Sequence, residues 1–192
     1  MPTPYVLKLA AAAEAEYDKY HGLHETAPKL AQRISFYWSS IGLGFPGVST
    51  PWSAVFVSAI VKLAGADASQ FLFSSQHSQF VHRAIANATS GIGVFRGFSP
   101  ADYAPKLGDI IQNNRNGNQF DFAFAKANKD YSSHSAIVVE EGTDGNGRYV
   151  RTVGGNEGDS VGDRVVRLRA NGLIKPPSSE PTYYISVIQN LR

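Results

Sequence analysis

The sequence predicts an α+β fold in which N-terminal helices pack on one face of a small antiparallel β-sheet. The first half is rich in residues that favour helix, and its apolar residues recur at helical spacing. The second half consists of short segments rich in β-branched residues, separated by Gly, Asn, Asp and Pro, as in a strand meander. Helices followed by strands are typical of the α+β class. The 192 residues suit one domain, 1–192, with 1–26 as a helical N-terminal extension.

Four helices are predicted, over residues 6–20, 27–41, 51–64 and 75–88. The third is the most informative, because Pro51 fits the first position of a helix, and Ser49 or Thr50 can cap it. Gly65 ends this helix. One face of it is apolar and is expected to be buried: Val55, Phe56, Ala59, Ile60 and Leu63.

Five strands are predicted, over residues 109–112, 135–141, 148–153, 161–168 and 183–188. The stretch 143–147, Thr-Asp-Gly-Asn-Gly, is a typical hairpin loop and joins the second strand to the third. Residues 113–130 are interpreted as a long loop that could carry function.

The composition excludes several classes of protein. Hydrophobic residues make up 43% and charged residues 18%, which is typical of a globular chain. There is no cysteine, so disulfides and thiolate metal sites are excluded. The net charge of +2 is small, and the sequence contains no Lys/Arg block with interleaved aromatic residues, so nucleic-acid binding is not predicted. No apolar run is long enough to predict a membrane span.

Ser53 is the candidate nucleophile. It lies in the first turn of a predicted buried helix, where backbone N–H groups are free and the helix dipole is positive. Both features favour a developing anion, so the backbone there can form part of an oxyanion site. A serine that merely starts a helix is the alternative interpretation of this segment taken alone.

His134 and Asn156 are the candidate partners of Ser53. His134 opens an apolar strand, where a rigidly held imidazole can act as a general base. Asn156 follows Val153-Gly154-Gly155 at the end of the next strand. Antiparallel pairing would bring Asn156 beside His134, where its amide could orient the imidazole. A strand-end hydrogen bond for His134 and a turn at Gly154-Gly155 are the structural alternatives.

This order of motifs resembles the papain-like cell-wall hydrolases of the CHAP and NlpC type. Trp52-Ser53-Ala54 resembles their Trp-Cys-Ala motif, and Leu107-Gly108-Asp109-Ile110-Ile111 resembles the Gly-Asp strand that precedes their histidine strand. The chain is still more similar to a bacterial family of uncharacterised domains. The matching features are a Pro-Trp-Ser-Ala-x-Phe-Val-Ser helix, a His-Ser-x-Phe-Val element at 77–81, the histidine strand and Val-Gly-Gly-Asn.

The resemblance implies a papain-like fold and a peptidoglycan amidase or endopeptidase. Its catalytic residues would be Ser53, His134 and Asn156, with Trp52 and His77 binding substrate. The partner would be the peptide stem of peptidoglycan, and a cognate inhibitor protein is a further candidate partner. The alternative is a catalytically inactive module of the same fold that binds the cell wall or another protein. A structural component of a phage or secretion machine is a third class.

The sequence departs from the superfamily at the nucleophile, because Ser53 stands where relatives carry cysteine. A thiol yields a thiolate near neutral pH, whereas an alcohol does not. Three explanations are open: a native serine activated by His134, an inactivating substitution of cysteine, or a pseudoenzyme. The resemblance to the closer family, in which serine is usual, favours a native residue.

No metal or organic cofactor is expected. His77 and His82 are five positions apart and do not share a helix face, and His21 and His24 have no clearly placed acidic partner. Residues 91–97 lack the Gly-Lys-Ser/Thr ending of a phosphate loop. The N-terminus shows no secretory signal. The expectation is therefore a cytoplasmic protein, or one exported by a signal-independent route and acting in the periplasm or cell wall.

Overall fold

The computed structural model describes residues 1–180 and 183–192, and within them it contains five helices and a six-stranded antiparallel sheet. The helices are α1 (Pro4–Tyr20), α2 (Pro28–Ser40), α3 (Ser53–Leu63), α4 (His77–Ser90) and α5 (Phe122–Ala127). The strands are β1 (Phe95–Phe98), β2 (Ile110–Asn113), β3 (His134–Asp144), β4 (Gly147–Gly155), β5 (Val161–Arg167) and β6 (Tyr184–Asn190). The predicted α+β class is confirmed.

The sheet has the strand order β1-β6-β2-β3-β4-β5. The β3–β4 hairpin closes where predicted, with Asp144 opposite Gly147. The interpretation of 113–130 as a loop missed α5, which Asp121 caps by accepting the backbone N–H of Phe124 at 2.8 Å. Strand β1 was also missed. It has four residues and contains Gly97, whose α-carbon packs against α4 so closely that an added Cβ would lie 2.7 Å from Ile85.

Helix α3 begins two residues later than predicted. Trp52 is its N-cap, and no side chain caps it, so the predicted capping by Ser49 or Thr50 with Pro51 as first residue was wrong. Every residue of α3 from Ser53 to Val61 is buried. The helix is therefore apolar nearly all round, which is typical of a central core helix.

The main hydrophobic core lies between the helices and one face of the sheet. Leu9 and Ala13 of α1 are fully buried in it, so α1 packs into the core of the domain. Alternate residues of the strands point to opposite faces, and a smaller apolar cluster forms on the other face. Ile110 belongs to the main core and Ile111 to the smaller cluster.

The Gly108-Asp109 motif has a structural role. The two carboxylate oxygens of Asp109 accept the backbone N–H groups of Asn190 and Lys106, each at 2.8 Å, which ties the start of β2 to the end of β6. Burial raises the pKa of Asp109 to about 7. In the described part of the chain, no helix is long and apolar enough to cross a membrane.

Candidate active site

Ser53 is the first residue of α3, in the first helical turn as predicted, and is 2% exposed. The helix places its hydroxyl beside the first residue of α4, His77. The distance between Ser53 Oγ and His77 Nε2 is 2.7 Å, a short hydrogen bond between buried groups. Two helix N-termini therefore meet at the candidate nucleophile, and the N–H groups of both first turns have no partner within their own helices.

His77 is a buried, neutral histidine. Burial is the main cause that holds its pKa well below its usual range, and the electrostatic effects of neighbouring His134 and Arg115 lower the pKa further. Its ring packs edge-on against Phe80. Its second ring nitrogen, Nδ1, is buried and has no hydrogen-bond partner among the described residues. His77 thus contacts Ser53 but lacks the third group that orients the base of a triad.

The other histidine of the site, His134, has such a group in Glu157. His134 opens β3, and its Nε2 lies 2.9 Å from Oε1 of Glu157, with both side chains largely buried. Burial raises the pKa of Glu157, but the hydrogen bond and charge of His134 and the charge of Arg164 outweigh it and lower the pKa overall. The ionised carboxylate accepts a hydrogen bond from Nε2–H, which leaves Nδ1 of His134 as the ring's acceptor.

Gly154 makes room for the contact between His134 and Glu157. A Cβ at this position would lie 3.0 Å from His134 Nε2 and 3.2 Å from Glu157 Oε1. Gly155 allows β4 to pack closely against α3, because an added Cβ there would lie 2.5 Å from Phe56. The two glycines belong to β4 and are required for close approach, so the alternative interpretation of Gly-Gly-Asn as a turn is wrong for the glycines.

Asn156 does not hold His134 in this structure. It follows β4 with φ 57°, in the left-handed region, and its Nδ2 donates to Oε2 of Glu25 at 3.0 Å. Trp52 donates to the same oxygen through Nε1 at 2.8 Å, and its ring is fully buried. Trp52, expected to bind substrate, is therefore a core residue here, and Glu25 joins the start of α3 to the end of β4.

The predicted residues gather in one place but pair differently from the prediction. His77 lies between the other two: it hydrogen-bonds Ser53, and its imidazole centroid is 5.4 Å from that of His134. The hydrogen bond of Ser53 goes to His77, whereas the sequence predicted one to His134. Glu157 contacts His134 in the role that the sequence analysis assigned to the preceding residue, Asn156. A carboxylate directly after the predicted strand end was the signal that could have identified it.

A cavity of about 350 Å³ opens beside His134 and Glu157. Its walls are strongly polar and come mainly from residues 113–118 and 156–158, with Arg164, Glu180 and Tyr183. Ser53 and His77 are not among its lining residues. The cavity thus reaches the imidazole of His134 and stops short of the buried hydroxyl.

The bonding of the two histidines favours one pair of tautomers. If His77 carried its proton on Nδ1, a buried N–H would have no acceptor, at a cost of about 1–3 kcal/mol. With the proton on Nε2, His77 donates to Ser53 Oγ and leaves only a lone pair unpartnered. The proton of Ser53 is then directed elsewhere, and Nδ1 of the adjacent His134 is a free acceptor in the described part of the chain.

No group of three or more His, Cys, Asp or Glu side chains in residues 1–180 and 183–192 is placed to hold a metal ion. No curated protein and no solved structure matches the chain significantly. A family model does match, over residues 11–185, which is most of the chain and includes Ser53, His77, His134 and Glu157. The chain therefore belongs to the bacterial family described as "Uncharacterized protein conserved in bacteria (DUF2272)".

Proposed function

We propose that this protein is a papain-like hydrolase that cleaves amide bonds in the peptides of peptidoglycan, with Ser53 as nucleophile. The observation that carries the proposal is the juxtaposition of a serine at a helix N-terminus with two histidines, one bonded to Ser53 and the other to a buried carboxylate. Nucleophile, base and orienting group are the three parts that acyl transfer requires. The resemblance to the CHAP and NlpC type supports peptidoglycan as the substrate.

In the proposed reaction, Ser53 Oγ attacks the amide carbonyl while its proton moves to Nδ1 of His134. Glu157 stabilises the imidazolium that results, because its ionised carboxylate already accepts a hydrogen bond from Nε2–H. The tetrahedral intermediate collapses when His134 returns the proton to the leaving amine, which gives an acyl-enzyme. Water then attacks the ester by the same route in reverse order.

His77 and the first turn of α3 would support the developing negative charge. His77 Nε2–H donates to Ser53 Oγ, which positions the oxygen and stabilises it as its proton leaves. Backbone N–H groups at the N-terminus of α3 face the carbonyl oxygen as it becomes an oxyanion. Transfer to His134 requires a hydrogen bond from Ser53, a contact absent among the described residues, so the ring or the serine rotamer must move.

A second candidate function is a binding module of the same fold without turnover. The burial of Ser53 favours it, because the adjacent cavity reaches His134 but not the hydroxyl. In this case substrate would contact the polar cavity and never reach Ser53. The binding-module function thus predicts cell-wall binding that is independent of Ser53.

Peptidoglycan digestion with products resolved by mass separates the two. The parent protein should release peptides, and Ser53→Ala should release none. His134→Ala should lower the rate by about 10²–10⁴-fold, the usual contribution of a general base. Ser53→Cys should retain or raise the rate, since a thiolate is the better nucleophile. Inactivity of all four proteins with retained wall binding would support the binding module.

A pair of neighbouring variants tests the identity of the orienting residue. Glu157→Gln should lower the rate strongly, because a neutral amide lacks the negative charge that stabilises the imidazolium. Asn156→Ala should have the smaller effect, since Asn156 bonds Glu25 and not the base. A larger loss in Asn156→Ala, with both variants folded by circular dichroism, would restore the triad predicted from sequence.

A further inference from the structure

The cavity beside His134 contains a cation that has no partner among the residues described by the structure. Arg115 lines this cavity and is half-buried, and its guanidinium makes no hydrogen bond or ion pair with any described residue. Arg164, in the same wall, is paired with Glu157 at 3.1 Å. A guanidinium that is partly removed from water and has no partner is available to an anionic group of a ligand.

The local backbone fixes Arg115 at this position. Residues 115–118 form a tight turn in which the N–H of Asn118 donates to the carbonyl of Arg115 at 3.2 Å. Asn116 and Gly117 both have positive φ, 58° and 74°, as a type I′ turn requires. The side chain of Asn118 donates to the carbonyl of Ser132 at 3.3 Å, which anchors the turn to the segment before β3.

Arg115 also lies close enough to the candidate active site to affect it. Its positive charge is one of the causes that lower the pKa of buried His77. A ligand group bound at Arg115 would therefore lie near the reacting atoms rather than at a remote surface.

We propose that this cavity is a carboxylate-binding subsite, in which Arg115 pairs with a carboxylate of the substrate and places the scissile amide beside His134. That the ligand is a substrate rests on the proposed function, but the binding itself does not require turnover. In peptidoglycan the free carboxylate belongs to the peptide stem, and the lactyl group of muramic acid offers a competing one only where its stem has been removed. Glu180 lines the same cavity, and its negative charge would repel an anion. The preference for a carboxylate is therefore assigned to Arg115 specifically.

The test is calorimetric titration of the full chain carrying Ser53→Ala, which removes turnover. The probes are N-acetyl-lysyl-D-alanyl-D-alanine and its C-terminal amide, and N-acetylmuramic acid and its methyl ester. The acid of one pair should bind at least about tenfold more tightly than its neutral analogue, as expected for hydrogen bonds to a charged group. The pair that shows the difference identifies the source of the carboxylate.

Variants within the same cavity provide the controls. Arg115→Gln should abolish the difference between acid and neutral probe, and Arg115→Lys should retain part of it. Glu180→Gln removes a negative charge from the same wall, so it should leave acid binding unchanged or tighter. Unchanged melting temperatures establish that the variants are folded, and Arg115→Lys serves as the test if Arg115→Gln is not.

Two results overturn the subsite: equal affinity for acid and neutral probes, including no binding of either, or full acid preference in Arg115→Gln. These results are distinguishable from failure of the proposed function. Acid preference that depends on Arg115, without peptidoglycan cleavage by the parent protein, keeps the subsite and removes the hydrolase. Cleavage without acid preference keeps the hydrolase and removes the subsite.

Discussion

Replacing Gly155 by alanine should destabilise the protein by overpacking the contact between β4 and α3. The new Cβ would lie 2.5 Å from Phe56 Cβ and 2.6 Å from the ring of Trp52. Carbon atoms in contact are usually about 3.5–4.0 Å apart, so the shortfall is about 1 Å. Both neighbours are fully buried and cannot swing into solvent. The free energy of unfolding should therefore fall by about 1–3 kcal/mol.

Thermal unfolding followed by circular dichroism measures this effect. For a domain of this size, a loss of 1–3 kcal/mol corresponds to a melting temperature lower by about 2–12 °C. Gly145→Ala is the matched control, because a Cβ there meets nothing within 4 Å and its φ is not positive. The control should change stability by less than about 0.5 kcal/mol. A Gly155→Ala variant as stable as Gly145→Ala would refute the argument that close packing requires this glycine.

Two further predictions concern buried ionisable groups. The pKa of His77 is lower in the folded protein than in the unfolded chain, so the unfolded state binds more protons at a pH between the two values, and the free energy of unfolding should fall as the pH drops through about 6.5. Urea titrations at pH 8 and 5.5 should show a smaller fall for His77→Gln than for the parent protein, and an identical fall would contradict this explanation. Glu16→Ala should lower the free energy of unfolding by about 3–5 kcal/mol, because it leaves Arg33 and the Tyr37 hydroxyl without their buried acceptor. Replacement of the more exposed Glu14 by alanine is the control, and an equal loss in both variants would show that burial of the pair is not the cause.

The sequence predicted the elements whose signals are local. Helical spacing, the Asp-Gly-Asn-Gly loop and β-branched runs identify four helices and five strands to within a few residues. The start of α3 was misplaced because Pro51 fits a first helical position, while the chain bends at Trp52 so that its indole can reach Glu25. Strand β1 was missed because its glycine is selected by packing against Ile85, a contact that no local pattern encodes.

The assignment of Ser53 and His134 to one site came from the family resemblance, and in the structure both lie beside His77. The pairings could not be predicted from the sequence, because they depend on single-residue differences in side-chain direction. The left-handed backbone at Asn156 turns its amide to Glu25, while the following carboxylate reaches His134. The bond between Ser53 and His77 joins residues 24 positions apart on separate helices, and only the tertiary arrangement of α3 and α4 determines it.

Activation of Ser53 as a nucleophile is tested most directly by the mass of the intact protein after exposure to a fluorophosphonate, which reacts with serines that an adjacent base activates. We expect one adduct per chain, located on Ser53, absent from Ser53→Ala and strongly slowed in His134→Ala. An unmodified parent protein, or an adduct on another residue that persists in Ser53→Ala, would contradict it.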